Sequence, residues 1–271
     1  MTIFHSRKYF DLHGGSAYLQ HGDCILPLWT VGGTTHSPLR GTFAGPSGGS
    51  MKDLERVVQD ALAISGQHHY KLAPQGHDAA HFAQTYNVLV RAGFKVSRHE
   101  LNYERPVNNS GAFEQGLSRG EFKHLNACLR AGWEVTASNF DGQIYDVIAE
   151  NRKRKGRELS MSYEAVRDMA EAFPEELVCF RVNRLRDLAT AICLRLSPDI
   201  LYVYAWGDIG DAEHSPIVLL AHGIYEWCCM NGVKLLDIGT ATEDGVPNVG
   251  LTDFKMRLGF RPSLKITMSR Y

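Results

Sequence analysis

The sequence lacks an excess of charge of either sign, because its 29 Lys and Arg residues nearly balance 30 Asp and Glu residues. Without a strong positive field a protein is not drawn to a polyanion, which argues against tight, sequence-independent binding of nucleic acid. No apolar run approaches the roughly 18 residues of a membrane span, and the charged N-terminal stretch does not resemble a signal peptide. We therefore expect a soluble cytoplasmic protein.

Regular cysteine spacing and common catalytic motifs are also missing. The six cysteines are scattered, without a disulfide framework or a Cys-x-x-Cys zinc motif, and there is no P-loop. His77 and His81 have the spacing of a helical zinc site, but Asp stands where that motif needs Glu. Ser118 lies in a G-x-S-x-G pattern that no apolar strand precedes, and with Glu121 it predicts a helix capping box instead. We predict neither a metal site nor a serine hydrolase.

The apolar periodicity predicts an α/β protein in which one order of elements, β-β-β-α-β-α-β, occurs twice. In the first part we predict strands at 16–22, 24–31, 37–44, 69–72 and 94–103, and helices at 51–64 and 78–92. A polar connector at 105–116 follows. In the second part we predict helices at 119–131, 144–155, 163–173 and 216–230, and strands at 133–139, 176–182, 188–196, 201–206 and 263–269.

A short sequence repeat supports the duplication. Arg91-Ala-Gly93-Phe94 precedes the last strand of the first part, and Arg257-Leu-Gly259-Phe260 precedes the last strand of the second. We therefore divide the chain into two similar halves, 1–115 and 116–271, each with helices packed on a mixed sheet.

Polar residues gather in the stretch 235–260. An apolar strand containing Asp237 ends at Gly239, a loop with Glu243 and Asn248 follows, and a short helix carries Lys255. Polar groups thus converge at the carboxyl end of a strand, where ligands usually bind in open α/β sheets. The structural alternative for Lys255 is a solvated helix residue, and Asp237 could simply bond to local backbone.

The segment Gly250-Leu-Thr-Asp-Phe254-Lys255-Met-Arg-Leu-Gly259-Phe260 resembles the glycine, Phe-Lys and Gly-Phe motif of FemAB-like tandem-GNAT proteins and their shorter BioF2-like relatives. The duplicated element order resembles the same proteins. This resemblance implies a tandem GNAT-like fold of two mixed β-sheets with packed helices. It also implies transfer of an acyl or aminoacyl group to an amine in a ternary complex, at a site in the half 116–271.

The resemblance also implies roles for individual residues. Lys255 matches the family lysine that donates to the developing oxyanion, and Asp237 is the expected base, with Glu243 as the alternative. Three aromatic residues share one face of the strand where GNAT folds open to admit the acyl donor. We assign the middle one to catalysis and the outer two to substrate binding: Tyr202, Tyr204 and Trp206.

The loop at 207–215 stands where a standard GNAT binds the pyrophosphate of coenzyme A at a helix N-terminus. It is acidic and lacks the usual Gln/Arg-x-x-Gly-x-Gly/Ala pattern. Asp208, His214 and Ser215 are nevertheless predicted substrate contacts, and Ser215 before Pro216 also predicts an N-cap. Arg40, in a loop of the first half, is a further candidate to meet an anionic acceptor.

The predicted function is an N-acyltransferase that uses acyl-CoA, such as acetyl-CoA, as cosubstrate and needs no metal. The expected acceptor is a small-molecule or cell-envelope-precursor amine. Two alternatives remain open. One is a FemAB-type enzyme that uses aminoacyl-tRNA, which the balanced charge does not favour, and the other is a catalytically silent binding module that keeps the fold.

Overall fold

The structure, a computed structural model, describes residues 2–183 and 186–271. None of the helices in these ranges is both long and apolar enough to cross a membrane. The α-helices are α1 (Arg7–Leu12), α2 (Met51–Leu62), α3 (Ala79–Arg91), α4 (Ala112–Gly116), α5 (Arg119–Arg130), α6 (Gly142–Arg154), α7 (Tyr163–Ala172), α8 (Pro216–Met230) and α9 (Val249–Arg257). The strands are β1 (Ala17–His21), β2 (Cys24–Val31), β3 (Thr34–Ser37), β4 (Gln67–Lys71), β5 (Lys95–Pro106), β6 (Glu134–Ser138), β7 (Leu177–Asn183), β8 (Asp187–Ser197), β9 (Ile200–Asp208), β10 (Leu235–Thr240), β11 (Thr242–Glu243), β12 (Val246–Pro247) and β13 (Arg261–Arg270).

The described residues form two compact units. The first unit contains 2–102, 240–249 and 262–271, and the second contains 103–239 and 250–261. The chain therefore passes from one unit to the other more than once. The division into two GNAT-like halves, 1–115 and 116–271, stays a prediction.

The first unit contains a mixed sheet with the strand order β1-β2-β3-β4-β13-β5. Strands β3 and β4 are parallel, whereas β13 pairs antiparallel with β4. Helix α2 begins after Ser50, whose hydroxyl accepts a hydrogen bond from the N–H of Asp53 in a capping box. One face of α2 buries Leu54, Val57 and Ala61 in the core of this unit, as the helical spacing of these residues predicted.

The strand predicted at 37–44 is wrong. Strand β3 lies earlier in the chain and pairs antiparallel with β2. Phe43 and Ala44, whose apolar side chains suggested a strand, are buried, but only an isolated bridge joins Ala44 to Leu72. These apolar residues fill the core from a loop, so their pattern indicated burial and not strand pairing.

The second unit contains the strand order β10-β9-β8-β7-β6, with the last residues of β5 beside β10. Strands β9 and β10 are parallel, and the remaining neighbours from β9 to β6 pair antiparallel. The Oγ1 atom of Thr190 in β8 donates a 2.9 Å hydrogen bond to Ile144 O of α6. Cys193, on the opposite face of β8, lies near Cys228 of α8. Helices α6 and α8 therefore cover opposite faces.

Two segments predicted as loops contain regular structure. The connector predicted at 105–116 includes the end of β5 and the short helix α4, and the loop after Gly239 includes the small hairpin β11–β12. Helix α8 keeps the predicted bounds 216–230, because a mostly apolar stretch begins at Pro216 and ends at the polar turn at Asn231.

Candidate active site

The parallel pairing of β9 with β10 stops at Asp237 and Tyr202. Beyond this point β9 continues to Asp208 paired with β8, so β9 and β10 separate, as the resemblance implied. Asp237 is fully buried, and its Oδ1 atom accepts a 2.7 Å hydrogen bond from the N–H of Gly239. Gly239 has a φ of +71°, a left-handed conformation that glycine adopts without strain. This turn places a buried carboxylate where the strands diverge.

Lys255 lies on α9 and is only 2% exposed. Its Nζ atom donates hydrogen bonds of 2.8 Å to the carbonyls of both Ile238 and Gly239. The same atom lies 5.5 Å from the centre of the Tyr103 ring, in a cation–π contact. Lys255 is therefore not a solvated helix residue, and it holds the end of β10 in place.

The protonation of Lys255 depends on this environment. Burial lowers the pKa of Lys255 to about 7, Asp237 opposes this shift, and the charge of Arg152 strengthens it. A group whose pKa lies near neutral pH can exchange a proton in either direction during catalysis. Lys255 thus combines a backbone-anchoring role with the capacity to take part in proton transfer.

A second carboxylate, which the sequence analysis missed, stands beside Asp237. Carboxylate oxygens of Glu104 and Asp237 lie within 4.8 Å of one another, since β5 and β10 are neighbours. Glu104 is half-buried, so it is the more accessible of the two. The predicted strand ended at Tyr103 and the connector began two residues later. Extending the strand to Pro106 would have placed Glu104 within it.

Arg105 fixes the helix that carries Lys255. It is 8% exposed, and its guanidinium donates hydrogen bonds of 2.7 Å to Leu258 O and 2.6 Å to Ala112 O. The guanidinium also lies 4.8 Å from the centre of the Phe113 ring. These contacts join the end of α9 to α4. Arg105 lies in the segment predicted to be a polar connector, and nothing in its sequence context indicates this role.

The aromatic residues predicted on β9 occupy different environments. Tyr202 is buried, and its ring centre lies 6.3 Å from that of Tyr204 in an edge-to-face contact. Burial raises the pKa of Tyr204, although a hydrogen bond with Ser160 opposes the shift. The raised pKa keeps the Tyr204 hydroxyl protonated, and therefore able to donate, near neutral pH. Trp206 is half-buried further along the strand.

Tyr204 lines a cavity of about 170 Å³ in the second unit. The cavity lies against α6, β8 and β9, and the segment after α6 closes another side. Ile192 and Met161 contribute apolar surface. The polar part of its lining comprises Tyr145, Arg152, Arg157, Glu158, Ser160 and Tyr204. A cavity of this size and mixed character suits one polar portion of a substrate.

Helix α6 engages the loop at 207–215. Asn151 Nδ2 donates a 2.9 Å hydrogen bond to Asp208 Oδ1, and Arg154 lies 3.6 Å from the same carboxylate. The predicted substrate contact Asp208 is therefore held by α6. The imidazole of His214 lies 5.6 Å from the Trp133 ring, centre to centre.

The start of α8 differs from its prediction in one respect. Pro216 occupies the first turn, as predicted, but the side chain of Ser215 forms no capping hydrogen bond in the part of the chain that the structure describes. Ser215 nevertheless occupies the N-cap position before Pro216, as predicted, so its position is confirmed and the capping role of its side chain is not.

Three predicted binding residues lie in the first unit. Glu243 belongs to the hairpin β11–β12, and Asn248 follows that hairpin and donates its N–H to Ala241 O at 2.8 Å. Arg40 is exposed in the loop after β3. As substrate contacts, all three stay predictions.

The motifs set aside in the sequence analysis have local structural roles. Ser118 caps α5 by accepting the N–H of Glu121, as predicted, but its own N–H donates to Arg257 O, so the full capping box is not formed. The Glu121 carboxylate contacts Arg257 at 2.9 Å. His81 lies within hydrogen-bonding distance of Pro46 O, at 3.2 Å. Each motif therefore serves packing at its own position.

One group in the second unit has the composition of a metal site. Ligand atoms of Glu114, His222 and Glu226 all lie within 4.8 Å of one another. His222 Nε2 and Glu114 Oε1 form a 2.8 Å hydrogen bond. Glu226 accepts a hydrogen bond of 2.5 Å from Ser110. These contacts account for the cluster as an internal hydrogen-bonded network.

No family model and no curated protein matches this chain. Its fold is similar to that of FemX, with a TM-score of 0.70 at 12% identity over 98% of this chain and 91% of that chain. L-PGS from Bacillus licheniformis has a TM-score of 0.63 at 12% identity, over 98% and 92% of the two chains. A tandem GNAT protein from the clavulanic acid biosynthesis pathway has a TM-score of 0.52 at 10% identity, over 91% and 78%. These similarities confirm the predicted α/β, FemAB-like and GNAT-like fold.

Proposed function

We propose that the chain is an N-acyltransferase that moves an acyl or aminoacyl group from an activated donor to an amine within one ternary complex. The observation that carries this proposal is the placement of Asp237, Glu104 and Lys255 where β9 and β10 separate. Two carboxylates and a lysine with a pKa of about 7 provide the proton-transfer groups that such a reaction needs. The similar folds of FemX, L-PGS and a tandem GNAT protein support a transferase.

The carboxylate pair is assigned to the acceptor amine. Attack of the amine nitrogen on a thioester or ester carbonyl forms a C–N bond, and the nitrogen must then lose a proton. Glu104 is the more exposed carboxylate, so we assign it to receive that proton. Asp237 is buried and hydrogen-bonded to Gly239. It adds a negative charge next to Glu104 and orients the end of β10.

We assign Lys255 to the carbonyl oxygen of the donor and Tyr204 to the leaving group of the donor. A protonated Lys255 carries a positive charge at the end of β10, and this charge can stabilise the developing oxyanion. The protonated Tyr204 hydroxyl supplies a proton to the sulfur or oxygen that leaves. The carbon–sulfur or carbon–oxygen bond of the donor breaks as the amide forms, so atoms and charge balance.

The donor that we propose is an acyl-CoA, and aminoacyl-tRNA is the second candidate. The second candidate is kept because the loop at 207–215 lacks the usual phosphate-binding pattern and carries Asp208, Asp211 and Glu213. The proposed acceptor is a small-molecule or cell-envelope-precursor amine, and we place the reaction in the cytoplasm.

The proposal is tested by titrating the purified protein with acetyl-CoA, longer acyl-CoAs and free coenzyme A, by calorimetry and by thermal unfolding. A bound donor stabilises the folded state by mass action. Transfer is then measured as thiol release in the presence of a panel of amines, and parallel reactions use aminoacyl-tRNA. We expect amide formation with one class of donor. Donor binding without transfer to any amine would favour the silent binding module.

A further inference from the structure

Two arginines border the cavity of the second unit. Arg152 lies near the end of α6, and the N–H of Arg157 donates a 2.9 Å hydrogen bond to the carbonyl of Arg152. Both side chains line the cavity, together with Glu158. In the described ranges, Arg152 forms no ion pair with a carboxylate. Positive charge therefore exceeds negative charge on the cavity wall.

The surroundings of Arg152 disfavour its positive charge. Burial lowers the pKa of Arg152, and the charge of Arg157 lowers it further. The pKa of Lys155, which follows α6, is lowered by burial and by the same basic residues, while Asp208 raises it. Within the basic stretch at 152–157, Arg152 and Arg157 are half-buried and the residues between them are exposed. A bound anion would relieve the repulsion between these two guanidinium groups.

The loop at 207–215 does not offer an alternative anion site. The guanidinium of Arg154 donates to the carbonyl of Asp208. A Cβ on Gly210 would clash with the Nη1 atom of Arg154. Arg154 thus occupies the space over the glycine that a phosphate-binding loop leaves open for its ligand. The positive charge of α6 reaches this region, but the side chains that face a cavity are Arg152 and Arg157.

The cavity also adjoins residues assigned to the reaction. Tyr204 lines it, and the charge of Arg152 is close enough to Lys255 to lower the pKa of that lysine. A volume of about 170 Å³ is below the roughly 300 Å³ of a pocket for a whole drug-sized ligand. It therefore suits one group of a larger donor.

We propose that Arg152 and Arg157 form a subsite that binds an anionic group of the acyl donor, either a phosphate or a carboxylate. The subsite rests on the proposed function, because it binds part of the donor of that reaction. Arg152 of α6 and Arg157, which follows α6, supply the positive charge that the loop at 207–215 lacks. Guanidinium groups suit this task, since they bind phosphate and carboxylate through paired, charge-assisted hydrogen bonds.

The test compares Arg152→Gln and the double variant Arg152→Gln, Arg157→Gln with Lys153→Gln. Lys153 is exposed on the same helix and does not line the cavity, so its substitution removes one positive charge without touching the subsite. Circular dichroism and thermal unfolding check that each variant folds. Calorimetry then measures binding of inorganic pyrophosphate, free coenzyme A, acetyl-CoA and succinyl-CoA, each at two salt concentrations.

If the anion is a phosphate, Arg152→Gln weakens binding of pyrophosphate and coenzyme A by roughly tenfold or more. If it is a carboxylate of the acyl group, succinyl-CoA alone loses affinity by that factor. The proposal is overturned if no probe binds the unsubstituted protein, if Arg152→Gln binds every probe normally, or if Lys153→Gln causes the same loss.

These outcomes separate the subsite from the proposed function. Arginine-dependent binding without transfer to any amine keeps the subsite and overturns the acyltransferase. Normal transfer with an unchanged KM for the donor in Arg152→Gln keeps the acyltransferase and overturns the subsite.

Discussion

The Nζ atom of Lys255 donates a 2.8 Å hydrogen bond to the carbonyl of Gly239, joining helix α9 to the end of β10. Gly239 in turn donates its N–H to Asp237, so the lysine and the carboxylate are linked through a single glycine. Backbone position and proton transfer therefore depend on the same few atoms. Substitutions at this lysine should affect both stability and activity.

The first prediction concerns Lys255→Met, which keeps the length of the side chain but removes its donors. We expect the free energy of unfolding to fall by roughly 1–3 kcal/mol, because two buried carbonyls lose their partner, and we expect activity to be lost. Urea unfolding and a turnover assay measure the two effects. A solvated lysine could be replaced without loss of stability, whereas the burial of Lys255 predicts a loss.

A matched control for this variant is Lys234→Met. Lys234 pairs with Asp199 at 2.9 Å, but its side chain is 75% exposed, and exposed ion pairs contribute little. Normal stability in Lys255→Met would contradict the anchoring role, whereas normal turnover in a folded Lys255→Met protein would contradict the catalytic one.

The second prediction concerns the pH dependence of stability. The pKa of Lys255 is about 7 in the folded protein, against an ordinary value of 10.5. Between these values the unfolded state binds more protons, so the free energy of unfolding should rise with pH. Below about pH 7 both states are protonated, and the full cost of burying the charge is present.

Urea unfolding of the unsubstituted protein and of Lys255→Met, at several pH values from about 7 to about 9.5, isolates this contribution. The stability of the unsubstituted protein relative to the variant should increase along the series. A difference that stays constant with pH would mean that Lys255 keeps an ordinary pKa.

The third prediction concerns Glu104→Gln, a nearly isosteric change. If Glu104 receives the proton of the acceptor amine, kcat should fall by roughly 100-fold or more. Stability should change little, because glutamine keeps the size and polarity of the half-buried side chain. Glu134→Gln on exposed β6 is the control, and an equal loss of turnover there would show that the effect is not specific to the site.

Helices and strands were predicted correctly where the apolar periodicity and the residues that begin or end an element indicate the same structure. Helix α2 shows this in the spacing of Leu54, Val57 and Ala61 and in its Ser50 cap. Strand β3 was missed because Thr34–Ser37 contains no apolar residue, so its pairing with β2 depends on a neighbour that periodicity does not reveal. At Phe43 a strand was predicted where the chain forms a loop, since burial and strand pairing produce similar apolar patterns.

The candidate site was predictable where a motif marked it and not where tertiary packing formed it. Asp237 and Lys255 were predicted as site residues because they lie on a short strand and a short helix joined by a recognisable loop. The burial of Lys255 was not predicted, since a helix lysine beside polar neighbours is usually solvated. Glu104 and Arg105 were missed because they gain their roles from β10 and α9, which lie more than a hundred residues further along the chain.

The fourth prediction concerns Arg105→Lys. The Arg105 guanidinium donates to carbonyls at the end of α9 and within α4, a planar pattern that one ammonium group cannot reproduce. We expect a loss of roughly 2–4 kcal/mol in unfolding free energy. We also expect reduced turnover, because a displaced α9 moves Lys255 away from Gly239. Arg119→Lys, at an exposed position of α5, should change neither. Reduced turnover with normal stability in Arg105→Lys would instead indicate that Arg105 itself contacts the substrate, since its packing role alone affects both quantities together.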